Sequence, residues 1–135
     1  MSPQPKRTAF EVTLDREGVL CAQGETLPLE EAWTPEHLVL AALARCSLTS
    51  LAYHARRGRL ELEASAHSVG AVGRREDGSW GFLEIECRVE AGLEPAPAGD
   101  ELPTLLERAE RGCFVGASLR PKPTYSWQVN GEHVP

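Results

Sequence analysis

The stretch Thr34-Pro35-Glu36-His37-Leu38-Val39-Leu40-Ala41-Ala42-Leu43-Ala44-Arg45-Cys46 decides how this chain is read. Thr34 is a candidate N-cap, Pro35 suits the first helical position, and Glu36 places an acid in the first turn, where it complements the helix dipole. Apolar residues continue through Leu48, Leu51, Ala52 and Ala55 until Arg56-Arg57-Gly58 supplies a basic last turn and a stop. The spacing predicts one long helix. Its first half is apolar almost all round, which predicts burial on most sides rather than a single face laid on a sheet. In a chain of 135 residues a second subunit is the economical way to surround such a helix. A homodimer with this helix at its centre is therefore expected.

The rest of the composition fits that picture. A chain of this length suits one domain with a real core, so residues 1–135 are read as a single domain. Fourteen Lys and Arg against 20 Asp and Glu leave a formal charge of −6, which argues against a nucleic-acid surface. No unbroken apolar run reaches the roughly 18 to 20 residues of a membrane span. The opening residues Met-Ser-Pro-Gln-Pro-Lys-Arg contain no apolar segment of the secretory kind. A soluble, cytoplasmic protein is expected, with neither membrane nor nucleic acid as partner.

On the N-terminal side, Phe10, Val12 and Leu14 alternate with polar residues, Asp15-Arg16-Glu17-Gly18 supplies a turn, and Val19-Leu20-Cys21-Ala22 returns as the second arm of a hairpin. Leu27 and Leu29 suggest a further strand segment. On the C-terminal side, Leu60, Leu62, Ala64 and Ala66 alternate with polar residues, and the phase slips near Ser68-Val69-Gly70, which predicts a bulge there. After a turn at Arg75-Glu76-Asp77-Gly78, Leu83, Ile85, Cys87 and Val89 share one face of a strand. Residues 91–100 read as a loop. Leu102, Leu105, Leu106 and Ala109 then mark an amphipathic helix, with Glu107 and Arg111 as an i,i+4 pair and Gly112 as its stop. A short helical turn over residues 113–119 and a last strand, Thr124–Val129, complete an α+β chain.

The cysteines are Cys21, Cys46, Cys87 and Cys113, and no two form a C-x-x-C element. Isolated intracellular cysteines are commonly buried small hydrophobes, which is the reading for Cys21 and Cys87 on their strands. His37 and His54 lie too far apart on the long helix to hold one ion, and no metal site is expected. Ser47, Thr49 and Ser50 lack a nucleophile elbow and read as small packing residues.

The segment from Thr34 to Cys46, together with Cys113 and the Ser118-Leu119 that follows it, resembles the OsmC/Ohr family, the osmotically inducible and organic-hydroperoxide-resistance proteins. The likeness runs from the first hairpin to the last strand. It implies an OsmC-like fold, with antiparallel sheets packed around a long central helix in an intertwined homodimer. It also implies a thiol-dependent peroxidase that reduces alkyl or fatty-acid hydroperoxides. Cys46 would be the peroxidatic cysteine, Cys113 the resolving cysteine, Arg16 the catalytic arginine and Glu36 the carboxylate that positions it. No bound cofactor is implied; an external dithiol of lipoyl type would be the reductant. The sequence departs from the family pattern at Phe114, which stands where proline often follows the second cysteine.

The chemistry can be weighed on its own terms. A peroxidatic cysteine must ionise, yet free Cys titrates near pH 8.5 and burial raises that value. Cys46 is mid-helix, beyond the reach of its own helix's N-terminal dipole. A cation is therefore required; the resemblance implies Arg16, and Arg45 and Arg56 are rivals, Arg45 the weaker because successive helical side chains point about 100° apart. At a rise of about 1.5 Å per residue, Glu36 and Cys46 stand roughly 15 Å apart on one helix. Either the helix breaks or the carboxylate comes from the partner's helix, and the second is preferred. Leu40, Leu43, Phe114 and Trp33 are expected to line the entrance. Two other readings remain open: a non-catalytic relative binding a lipophilic small molecule at the dimer interface, and an acyl-thioester hydrolase.

Overall fold

The computed structural model describes residues 6–135. Met1–Pro5, whose polar sequence predicts no leader segment, lie outside the described residues. The chain divides into an N-terminal unit ending at Pro35 and a larger unit, Glu36–Pro135.

The N-terminal unit is an antiparallel sheet of β1 (Thr13–Leu14), β2 (Val19–Ala22) and β3 (Glu25–Pro28), in that order. The predicted turn forms because Asp15 Oδ1 accepts from the backbone N–H groups of Glu17 (2.8 Å) and Val19 (2.9 Å), while Gly18 takes a positive φ of 79°. The strand before it is shorter than the alternation predicts. Phe10 and Val12 lie outside β1 and are exposed, because alternation fixes a strand only where it has a partner and a surface to bury against. β3 realises the segment expected around Leu27, joined to β2 through Gln23 and Gly24 at φ 51° and 80°. Two successive left-handed residues give the hairpin the twist its strands need.

The larger unit is built on α1 (Pro35–Arg57), β4 (Glu61–Arg74), β5 (Trp80–Glu94), α2 (Glu101–Arg111), α3 (Phe114–Ser118), β6 (Thr124–Val129) and β7 (Glu132–Val134). α1 runs unbroken. Its buried residues, Leu43, Ser47, Ser50, Leu51 and Ala55, form one stripe at helical spacing. Within the single chain this departs from the expected burial on most sides: Ala41 and Ala42 in its apolar first half are exposed. By length and a mean hydropathy of 1.3, α1 is apolar enough to cross a membrane, although no unbroken apolar run suggests it. Leu43, Leu51 and Ala55 instead join the core with Ile85, Val89, Leu93 and Trp127 of the sheet.

The four strands pair in the order β4-β5-β6-β7. β4 and β5 form the long antiparallel hairpin, with the register shift at Ala71/Val72, a little beyond the predicted Ser68–Gly70. β5 extends past its predicted end. Ala91 and Leu93 continue the buried alternation, so only residues 95–100 of the expected loop are loop. β5 and β6 are parallel, which the expectation of purely antiparallel sheets did not include. The crossover through α2 and α3 returns the chain in the same direction, as a parallel pair requires. β7 is an additional strand, turned by Asn130 and Gly131 at φ 52° and 83°. Asn130 also clamps β5, accepting from the Leu93 N–H (2.9 Å) and donating to its carbonyl (3.2 Å).

α2 presents Leu105, Leu106 and Ala109 to the core, as its periodicity predicts, and Arg111 pairs with Glu107 at 2.6 Å. The Ser50 hydroxyl of α1 donates to the Ala109 carbonyl (2.7 Å), tying the two helices together. Leu51 is fully buried at the centre of this arrangement. Leu51→Ala is expected to lower unfolding free energy by about 2–5 kcal/mol, read as a reduced midpoint in denaturant titration.

Candidate active site

The two cysteines singled out by sequence meet where α1 passes the start of α3. Cys46 is half-buried on α1; Cys113 is fully buried and is the N-cap of α3, its sulfur accepting from the Gly116 N–H at 3.4 Å. The thiols are near enough to perturb each other's ionisation, Cys113 raising the proton affinity of Cys46 and Cys46 lowering that of Cys113. The first turn of any helix carries N–H groups without intrahelical partners. Here they are shared between the two sulfurs, Phe114 and Val115 toward Cys46 and Gly116 toward Cys113. All four cysteines are free thiols.

Behind the pair lies a row of polar side chains. In the sheet register Ser68 of β4 faces Cys87 of β5, and Cys87 faces Tyr125 of β6. The Ser68 hydroxyl donates to Cys87 Sγ (3.8 Å), and the Cys87 thiol donates to Ser47 Oγ (3.6 Å). Ser47 Oγ in turn lies 3.6 Å from Cys113 Sγ. Tyr125 stacks on Trp127, with ring centroids 5.7 Å apart and planes 9° apart. Its hydroxyl is buried without a hydrogen-bond partner of good geometry among the described residues. Gly116 leaves room for it: a Cβ there would stand 2.6 Å from the Tyr125 oxygen and 3.3 Å from Cys113 Sγ.

The two thiols are driven in opposite directions. Burial and the neighbouring Cys113 raise the proton affinity of Cys46, against the backbone N–H groups of Val115 and Phe114. Burial also acts against ionisation of Cys113, but the Gly116 N–H, Ser47, Tyr125 and Cys46 outweigh it and hold that thiol below its ordinary value. Burial keeps Cys87 protonated, above its ordinary range, despite the Ser68 hydroxyl that donates to it. Burial likewise holds the Tyr125 hydroxyl in its protonated form.

The structure thus brings together Cys46 and Cys113. It does not bring Glu36 to them within one chain. Glu36 sits in the first turn of an unbroken α1, roughly 15 Å from Cys46 along the axis. Arg16 lies in the β1–β2 turn of the N-terminal unit, exposed. No cation is among the strongest influences on Cys46. The expected apolar entrance also changes. Leu43 is wholly buried in the core, whereas Phe114 is 78% exposed. Beside Gly116 and Tyr125 a cavity of about 410 Å³ carries charged walls instead, including Glu107, Glu110, Arg111 and Lys122. Sequence reasoning missed Ser47, Tyr125 and the amides of α3, since only the sheet register and the crossover place them against the sulfurs.

The fold has clear counterparts. Residues 28–128 match the family described as OsmC-like protein. No curated relative matches the sequence. An OsmC-like protein of unknown function from Vibrio cholerae superposes with a TM-score of 0.72 at 14% identity, over 91% of this chain and 99% of that one. An organic hydroperoxide resistance protein from Elizabethkingia anophelis gives 0.61 at 18% identity, covering 93% and 98%. The organic hydroperoxide resistance protein OhrB of Bacillus subtilis gives 0.58 at 17%, covering 91% and 98%. With a match over most of its length and the fold to accompany it, the chain belongs to the OsmC-like protein family.

Proposed function

We propose that the protein is a cysteine-based peroxidase that reduces organic hydroperoxides. The observation that carries this reading is the meeting of Cys46 and Cys113 as free thiols that perturb each other's ionisation, one half-buried and one fully buried. The Cys46 thiolate attacks the distal oxygen of the hydroperoxide. The O–O bond breaks, the alcohol departs with a proton, and Cys46 is left as a sulfenic acid. The Cys113 thiolate then attacks that sulfur, expelling hydroxide as water and closing a disulfide. An external dithiol of lipoyl type returns both thiols at the cost of its own oxidation.

The low proton affinity of Cys113 suits the second step, since the attacking sulfur must be an anion there. The first step needs more than residues 36–135 supply, because Cys46 is biased toward the neutral thiol. In this reading Arg16 provides the missing charge. Its guanidinium stabilises the Cys46 thiolate and donates to the departing peroxide oxygen. Glu36 orients it from a second copy of the chain, because the unbroken α1 keeps the copy's own Glu36 away from its own Cys46. The active species is then a cytoplasmic homodimer.

One equivalent of an alkyl hydroperoxide is expected to remove two titratable thiols per chain, counted after denaturation. Cys46→Ser should abolish the loss, and Cys113→Ser should stop the reaction at a sulfenic acid that a dimedone probe traps. An unchanged thiol count in the wild type would sink the reading; retained ligand binding or thioester hydrolysis would then favour a lipophilic-ligand protein or an acyl-thioester hydrolase. Arg16→Ala is expected to lower kcat/KM for the hydroperoxide about 10²–10³-fold in steady-state assays.

A further inference from the structure

The peroxidase reading leaves Cys87, Ser47, Ser68 and Tyr125 without a part, although they form a polar row in an otherwise apolar core. Ser47 is 1% exposed and Cys87 is fully buried. Unsatisfied polar groups in such a place are costly, so the direction in which each proton points matters. Ser68 gives its proton to Cys87, and Cys87 gives its own to Ser47. A hydroxyl carries a single proton. With its oxygen accepting from Cys87, Ser47 keeps its own proton to give, and Cys113 Sγ, 3.6 Å away, is an acceptor within reach once it ionises. Each donor in the series is oriented by the one behind it.

The Tyr125 hydroxyl completes the arrangement. It is buried and unpartnered among the described residues, and it shares the space over Gly116 with Cys113 Sγ. A neutral thiol is a weak acceptor, whereas a thiolate is a strong one. The hydroxyl therefore gains its partner when Cys113 ionises.

We propose that Ser47 and Tyr125 are positioning residues for Cys113: the Ser68–Cys87–Ser47 relay and the Tyr125 hydroxyl aim donors at its sulfur and hold it as the thiolate of the pair. Cys87 is then part of the relay rather than plain packing. The titratable groups facing Cys113 are Cys46 from α1, Cys87 from β5 and Tyr125 from β6. On α2, Glu110 accepts from Trp127 Nε1 at 2.7 Å.

Resting on the peroxidase reading, the same donors assign the direction of disulfide reduction. An incoming dithiol anion attacks Cys46 Sγ, the less buried sulfur, forming a mixed disulfide there. The Cys46–Cys113 bond breaks, and the electron pair leaves on Cys113, where the donors wait. The second thiol of the reductant then releases Cys46 as a thiol and departs as its own disulfide. A sulfur stabilised as an anion is the faster leaving group.

The test is the pH dependence of Cys113 alkylation by iodoacetamide in the reduced full-length protein, followed by peptide-resolved mass spectrometry. Ser47→Ala is expected to raise the midpoint by about one pH unit. Tyr125→Phe keeps the ring and its stack on Trp127, and it too should raise the midpoint. A folded variant of either kind that titrates at the wild-type midpoint overturns the proposal, and Tyr125→Phe decides alone if Ser47→Ala does not fold. The measurement uses no peroxide. A shifted midpoint in a protein that consumes no thiols with hydroperoxide would therefore defeat the peroxidase reading while supporting the positioning role.

Discussion

A single turn of backbone governs the chemistry of this molecule. The N–H groups of Phe114, Val115 and Gly116 have no partners within their short helix; Gly116 donates to Cys113 Sγ, while Phe114 and Val115 favour ionisation of Cys46. Cys113, as N-cap, takes the place a serine or aspartate commonly fills, and as a neutral thiol it would fill it poorly. The remaining donors come from elements distant in sequence: Ser47 from α1, and Cys87 and Tyr125 from neighbouring strands. Packing and chemistry are therefore coupled. The α1 stripe that buries Leu43, Ser47 and Leu51 also sets Cys46 beside α3.

The asymmetry between the sulfurs follows from which donors each receives. Burial, joined by the neighbouring Cys113, raises the proton affinity of Cys46 against the Val115 and Phe114 amides, so its proton stays. Cys113 collects an amide, two hydroxyls and the Cys46 thiol itself, and these overcome its deeper burial. No cation is among the main influences on Cys46, so burial and the neighbouring sulfur decide its proton affinity. The stretch of α1 around Ala41 and Ala42, one to two turns before Cys46, is left exposed.

Much of the fold is legible in the sequence because its signals are local. Pro35 and Glu36 mark the start of α1, Arg56-Arg57-Gly58 marks its end, and Leu102, Leu105, Leu106 and Ala109 set the buried face of α2. The omissions have specific causes. The Asn130-Gly131 pair is a strong hairpin signal, yet β7 is only three residues long and offers no alternation to notice. The parallel pairing of β5 with β6 depends on how the crossover lies, which no local pattern encodes. At the site, Cys46 and Cys113 stand out by their surroundings in the chain. Ser47, Ser68 and Tyr125 do not, because their roles follow from which residues face one another across three strands. The apolar wall expected from Leu43 failed for a related reason: hydrophobicity says that a side chain is buried, not whether it borders a cavity.

The crossover between β5 and β6 carries Cys113, whereas Cys46 belongs to α1. Nothing in the covalent chain keeps the two sulfurs together; the Ser50–Ala109 hydrogen bond and the apolar face of α2 do so. The meeting of the two thiols is thus a property of tertiary docking, held by how the α2–α3 arm seats on α1.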